Sequence, residues 1–355
     1  MRTPLATQIP NPQNSQVEAP IMKVIITGGG GFLGHQLCEK LLQVRQLVNS
    51  SGVSVPIERV VLLDSHFSRP DTRVAQDSSI RVERVVGSVE DRRIIDEVLS
   101  GRPDTSIFHL ASMVSGECEE RFDDALRVNL QGGLNIFEAA RKLGPTCRVV
   151  FASSIACFGG QAMSDPCTDM TKTTPQTTYG MTKVMCELLI NDYSRKGFFD
   201  GRSARLPTVI VRPGKPNAAA SSWASGMFRE PLHGVDCLLP VHLDQCHPMT
   251  GYRTVIDSLV ALHDLPAERL GSDRAVGLAA LRVTPRAAQQ ALAQKDIPGL
   301  PKQLGKIVEV PDARIQGIVD RWPLSIDGSR AISLGLPSPT SLVQIIREYI
   351  EDFIG

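Results

Sequence analysis

Tyr179 and Lys183 stand four residues apart in the stretch YGMTK, and on a helix that spacing puts both side chains on one face, one turn apart. A phenol ionises near pH ~10 and is a poor base at neutral pH. An ammonium beside it stabilises the phenolate and lowers that value. The pair therefore reads as a general acid–base able to take a proton from an alcohol. Ser154, in FASSIA, supplies a hydroxyl that can orient the same oxygen. Taken alone, such a spacing describes many surface pairs. Its meaning depends on what precedes it.

What precedes it is MKVIITGGGGFLG, Met22 to Gly34. A β-type run at Val24 to Ile26 feeds a glycine cluster and then an amphipathic helix from about Phe32 to Val48. Gly28, Gly31 and Gly34 keep a GxxGxxG spacing: the first permits a tight turn, the second a close approach to a pyrophosphate, the third close helix–strand packing. The helix start, with Phe32 and Leu33, offers N–H groups and a positive dipole end to phosphates. A glycine motif that follows a strand and opens a helix points to dinucleotide binding. After a polar loop, Asn49 to Ile57, a second strand (Arg59 to Leu63) ends in Asp64. A carboxylate there holds ribose hydroxyls and repels a 2′-phosphate, which favours NAD over NADP. Its separation from the glycines exceeds the usual ~20 residues, and the loop accounts for the excess as an insertion.

Stepping along the chain, a third strand (Ile80 to Val86) ends in Gly87-Ser88-Val89 and is followed by a helix to Leu99. A fourth (Ser106 to Leu110) ends in HLAS, His109 to Ser112, and a long helix covers about Glu119 to Leu143. A fifth (Arg148 to Ala152) ends in Ser153-Ser154. Such alternation predicts an α/β fold, a Rossmann-type doubly wound parallel sheet with ligands at the carboxyl ends of its strands. Ser88, Val89, Leu110 and Ala111 lie at those ends beside the cofactor, Ser112 and Ser154 toward the substrate. Asn129 sits mid-helix, where an amide is a poor helix former, so it either caps an irregularity or is used. Residues 1–20, rich in Pro, Gln, Asn and Thr, read as a disordered tail; 21–212 form the NAD-binding domain with the catalytic residues; 213–355 are mainly a smaller α+β substrate lobe. That lobe is expected to hold a helix near Thr284 to Gln294, a strand at Lys306 to Val310 and a final helix from Ser341 to Phe353.

With 38 basic and 38 acidic residues the formal net charge is zero, which leaves no electrostatic footprint for nucleic acid or an anionic membrane. No apolar run reaches the ~18 residues of a membrane span, and the N-terminus lacks the apolar core of a signal peptide. Eight cysteines include no CxxC pair; Cys38, Cys147, Cys157 and Cys186 sit in apolar surroundings, as reduced thiols of a cytoplasmic protein would. His242, Cys246 and His247 lack a second ligand cluster, so no metal is expected.

These residues together resemble the extended short-chain dehydrogenase/reductase family, the NAD-dependent epimerase/dehydratase group. The resemblance runs from about Met22 to the C-terminus and includes the closing DGSRAISLGLPSP, Asp327 to Pro339, which looks like the family's last substrate-lobe segment. It implies NAD as cofactor, the three glycines on the pyrophosphate, Asp64 on the ribose, and a catalytic set of Ser154, Tyr179 and Lys183 completed by Asn129. Lys183 would also hold the nicotinamide ribose. Two-helix packing into a homodimer is common in that family. One departure is Ser88, where the family usually has an Asp for the adenine. NDYSRKGFFDGRSARLPTVIV and RPGKPNAAASSWASGMFREPL, Asn191 to Leu232, are similar to its D-erythronate dehydrogenase subfamily and imply oxidation of a small sugar acid to its 2-oxo form. Physically, Ser221 and Ser222 begin a helix whose N–H groups favour an anion, and Arg229 offers a planar fork for a carboxylate. Arg253, in GYRTVID, is the other basic candidate. A nucleotide-sugar epimerase with tightly bound NAD is the alternative, but Arg212 to Leu232 holds few basic residues for a diphosphate. A dehydratase would need an acidic pair where Ile155 and Ala156 stand, and a non-catalytic NAD-sensing scaffold would be expected to lose Tyr179 or Lys183.

Overall fold

Strands buried on both faces read as continuous apolar runs, and the first of them, Met22–Thr27 (β1), is buried at all six positions. The computed structural model describes residues 21–67, 79–101, 104–161, 163–214 and 220–354; the tail expected over residues 1–20 lies outside these. From β1 the chain runs through Phe32–Val44 (α1), Gln46–Val48 (β2), Ser54–Asp64 (β3), Arg81–Val86 (β4), Arg92–Val98 (α2) and Thr105–His109 (β5). Ser115–Glu120 (α3), Phe122–Ala125 (α4), a π-helical turn at Leu126–Gln131 and Gly132–Leu143 (α5) follow. Next come Arg148–Ser154 (β6), Thr178–Arg195 (α6), Asp200–Leu206 (β7) and Thr208–Ile210 (β8). The remainder holds Ser222–Leu232 (α7), Cys237–Leu239 (β9), His247–Gly251 (β10), Tyr252–Asp264 (α8), Ala275–Gly277 (β11), Leu281–Val283 (β12) and Pro285–Leu292 (α9). It closes with Ile307–Glu309 (β13), Ala313–Val319 (α10), Ser329–Ser333 (α11) and Leu342–Phe353 (α12).

The large sheet has the order β11-β7-β6-β5-β1-β3, and β3 also pairs with β4 along its second half and with β2 at its start. Every pairing in it is parallel except β2 with β3. Strand order reverses at β1, which lies between β5 and β3, so the crevice for a ligand opens at the carboxyl ends of β1 and β5. A second core, with Trp223, Phe228, Met249, Leu292 and Tyr349, is built by α7, β10, α9 and α12. The division expected at 212/213 is crossed by the chain: Val255, Leu259, Val276, Ala331 and Leu334, from α8, β11 and α11, share a core with Val24 and Phe108 of the sheet.

Two local expectations change. The first helix stops at Val44 because Arg45 turns left-handed (φ 61°), and the polar loop is largely a hairpin, β2 against the start of β3. Asn49 builds its turn by accepting from the N–H groups of Ser51 and Val53, both at 3.0 Å. The long helix expected over 119–143 is interrupted at Arg121 (φ −130°, ψ 66°) and again by the π-turn that holds Asn129.

At the amino ends of β6 and β7, Asp200 gathers three arginines: Arg148 at 3.0 Å, Arg274 at 2.8 Å, and Arg202. Arg202 is fully buried and donates to the carbonyls of Leu262, His263 and Leu265, so the pair also closes the C-terminus of α8. Burial opposes the Asp200 charge, yet the three guanidiniums outweigh it and hold its pKa below the ordinary value. Removing the anion strands buried cations, so Asp200→Asn is expected to cost about 3–5 kcal/mol in urea unfolding at neutral pH. The difference from the parent should shrink as the pH falls through the carboxylate range, because a depressed pKa stabilises only while the group stays ionised. A loss below about 1 kcal/mol would mean that the cluster needs no counter-charge.

Candidate active site

The glycine turn fits a dinucleotide by what it excludes. Gly28 has φ +73°, and a Cβ on it would stand 2.8 Å from the Ala111 amide nitrogen; one on Gly34 would meet the Gly28 carbonyl oxygen at 2.2 Å. Gly31 caps α1 without any side-chain hydrogen bond, and no acid occupies the helix's own first turn, so its N–H groups are open to an anion. Thr27 ties the two sides of the crevice, taking the Leu110 N–H on its carbonyl (3.1 Å) and the Ala111 N–H on its hydroxyl (3.2 Å). Asp64 stands at the tip of β3, where it accepts from the N–H groups of Gly30 (3.0 Å) and His66 (3.2 Å). The side chains of Phe32 and Leu33 serve packing, Phe32 edge-on to Tyr252 with ring centroids 5.2 Å apart. Ser88 exchanges hydrogen bonds with Glu90, and the Val89 carbonyl is held by Asn135 Nδ2 at 2.9 Å. Asn135 escaped the sequence reading; a buried amide on α5 was its only signal.

On the other side of the crevice, the Ser154 hydroxyl accepts from the Ala156 N–H at 3.1 Å and acts on Tyr179, whose pKa it lowers. Thr177 caps α6 through the Gly180 N–H at 3.0 Å. Gly180 was not foreseen, yet it decides the approach: a Cβ there would lie 2.1 Å from the Ala156 carbonyl oxygen. Only glycine lets the first turn of α6 rest against the turn after Ser154, which is what brings Tyr179 to that serine. Lys183 is 3% exposed, and its Nζ donates to the Ala152 carbonyl at 2.8 Å and lies 5.3 Å over the Tyr179 ring. Asn129 accepts from the Met113 N–H at 2.8 Å and reaches the Thr182 hydroxyl at 3.4 Å, so it clamps the loop after β5 to α6. Ser112, in that loop, turns its hydroxyl to the Met113 carbonyl at 2.9 Å.

Burial dominates the ionisation of both central groups. It pushes Tyr179 up to about 12, against the pull of the Ser154 hydrogen bond and the Arg212 charge. It pulls Lys183 down to about 8. The expected lowering of the phenol by Lys183 is not what governs Tyr179 here, because the Nζ faces the Ala152 carbonyl and the ring face rather than the hydroxyl.

The two cations expected to meet a carboxylate are engaged with the chain's own acids. Arg229, 6% exposed, pairs with Glu230 at 2.5 Å and donates to the Arg212 carbonyl at 3.1 Å. Arg253 bridges Glu351 and Asp352 of α12 at 2.9 and 2.7 Å, in a groove between α1 and α8 that shares no residue with the Ser154–Tyr179 pair. Ser221 is the cap residue of α7 and makes no capping bond; Ser222 opens that helix. Arg212, unremarked in the sequence, is the cation that acts on Tyr179. Its only advance signal was its place just past a strand end. Among the described residues no group of His, Cys, Asp and Glu is arranged for a metal.

A family profile described as the NAD dependent epimerase/dehydratase family matches residues 24–264. The D-erythronate dehydrogenase of Cupriavidus necator is 42% identical over 93% of this chain and 98% of its own length. That of Haemophilus influenzae is 38% identical over 93% and 99%. Among solved structures, a nucleoside-diphosphate-sugar epimerase from Agrobacterium tumefaciens superposes with a TM-score of 0.83 at 32% identity, covering 99% of this chain and 98% of that one.

Proposed function

Because the chain belongs to the NAD-dependent epimerase/dehydratase family and is an NAD-dependent oxidoreductase, we propose that it oxidises a hydroxyl of a small sugar acid, D-erythronate, to 2-oxo-tetronate. The observation that carries this reading is identity of 42% and 38% to two D-erythronate dehydrogenases over nearly their whole length. NAD, when bound, supplies the hydride acceptor. Gly28, Gly31 and Gly34 receive its pyrophosphate, Asp64 its adenosine ribose, with Phe32, Leu33, Ser88, Val89, Leu110 and Ala111 lining its path. Tyr179 takes the hydroxyl proton, Ser154 holds the same oxygen, and Lys183 holds the nicotinamide ribose. Asn129 acts from behind, by fixing Met113 and Thr182.

A nucleotide-sugar epimerase would need cations for a diphosphate. The described part of Arg212 to Leu232 contains only Arg212 and Arg229, and Arg229 is already paired. The two readings separate in one assay of NADH formation: four-carbon and six-carbon sugar acids against UDP- and dTDP-sugars, with NAD and with NADP. D-erythronate with NAD should give the highest kcat/KM. No NADH from any sugar acid, or equal efficiency with NADP, would remove the substrate or the Asp64 assignment respectively.

Tyr179→Phe should lower turnover by roughly 10²–10⁴-fold while NAD affinity stays that of the parent, since only the proton acceptor is lost. Activity within a few-fold of the parent would exclude Tyr179 from that role. In the parent, kcat/KM should climb from pH 7 toward alkaline pH, in line with a base whose pKa is raised.

We further propose that the chain pairs with a second copy through α6, where Met185 and Leu188 are 39% and 62% exposed. Light scattering should give the mass of two chains, and that of one chain would refute the pairing.

A further inference from the structure

Arg212 follows β8 by two residues, beyond β7, whose Leu206 pairs in register with Ser154. Its backbone is gripped from both sides by one helix: the N–H donates to Ser225 Oγ at 3.2 Å, and the carbonyl accepts from Arg229 Nη1 at 3.1 Å. Ser225 and Arg229 are one turn apart on α7, so the helix presents them together. Such a double grip fixes where the Arg212 side chain departs from the main chain.

The charges then divide unequally. Arg229 is neutralised by Glu230. Among the described residues no carboxylate forms an ion pair with Arg212, although it is half-buried and Arg229 repels it. A half-buried cation with no anion of its own is costly, and an incoming carboxylate offsets that cost. Arg212 lies six residues past Leu206, the partner of Ser154 across the sheet, so its anchored backbone leaves the carboxyl-end side of the strands that carries Ser154, and its charge acts on Tyr179.

We infer that Arg212 binds the carboxylate of the substrate, and that Arg229 positions Arg212 instead of touching the acid itself. This rests on the sugar-acid reading above. In a 2-hydroxy acid the carboxylate carbon is bonded to the carbon that gives up hydride, so its partner must stand beside the base. Arg212 meets that requirement, whereas Arg229 reaches the site only through the Arg212 carbonyl. The planar fork suits a two-point bond to the acid, which lysine cannot reproduce.

The test compares D-erythronate with its primary amide, which keeps every hydroxyl and lacks the charge. Parent, Arg212→Lys, Arg212→Gln, Arg229→Gln and the Arg212→Gln/Arg229→Gln pair are each assayed with both compounds. Binding of each compound to the NADH-loaded protein, where no alcohol can be oxidised, is measured by calorimetry. The acid-over-amide ratio in kcat/KM and in affinity should fall about 10²-fold in Arg212→Gln, a charge-assisted hydrogen bond's worth. Arg212→Lys should recover part of it, and Arg229→Gln should add nothing to the ratio once Arg212 is gone. If Arg212→Gln keeps the parent's preference while Arg229→Gln loses it, the anchor is Arg229 and the inference is overturned. If the parent oxidises no sugar acid yet binds the acid through Arg212, the function fails and the anchor stands.

Discussion

Glu187 holds the Arg205 guanidinium at two points inside the interface of α6 and β7, with contacts of 2.8 to 3.2 Å, and also accepts from the Ser153 hydroxyl. Both charged residues are nearly inaccessible. The network continues outward: Arg205 meets Asp169, whose carboxylate takes the Gly277 N–H at 2.8 Å and Arg330 at 2.9 Å. Arg330 in turn donates to the carbonyls of Ala275, Leu270 and Asp273. A buried ion pair is weak evidence of stability, because desolvation consumes most of its attraction. Its geometric effect is firmer. Glu187 is one turn beyond Lys183, and Ser153 is the neighbour of Ser154, so one carboxylate sets the register between the strand that carries Ser154 and the helix that carries Tyr179 and Lys183. It also explains why α11 returns to the large sheet instead of staying with the smaller core.

Within that frame the two titrating groups are shifted by the same cause in opposite directions. Burial disfavours any charge, so the phenol holds its proton more tightly and the ammonium loses its own more readily. Nearby His109 follows the same rule: it is pulled down to about 3 by burial and by the Lys183 charge, and its imidazole stays neutral with Nδ1 on the Thr27 hydroxyl at 2.7 Å. Thr27 thereby joins the glycine turn to the floor near Lys183. The site's balance is set by a few cations in a dry interior, and each additional charge weighs heavily there.

Motifs whose chemistry imposes a short spacing were readable in the chain. The glycines before α1, the carboxylate after β3, and a tyrosine and lysine one turn apart are local patterns, and the structure sets Ser154 against Tyr179. What depended on distant or unusual contacts was not readable. Arg253 pairs with Asp352 across 99 positions. Arg229 pairs with its immediate neighbour, although adjacent helix residues do not ordinarily face each other. The hairpin of β2 and β3 stayed hidden because Gln46–Val48 fell at the end of the expected first helix, and three residues are too few to show a strand's alternation. Gly180 passed as filler between two functional residues, since its reason lies in the carbonyl of Ala156, a contact only the folded chain makes.

The π-turn at Leu126–Gln131 bears on how the chain tolerates changes of length. A π-turn carries one residue more than the α-helical path needs, and each helical residue rotates its successors by about 100°. Deleting that residue would restore ordinary winding with α4 and α5 left in their places, so the change falls on the side chains of the turn itself. Asn129 would then leave Met113, while Asn135, beyond the turn, would keep its hold on Val89. The surplus residue thus serves Asn129 alone, since Asn135 holds Val89 from the regular helix that follows.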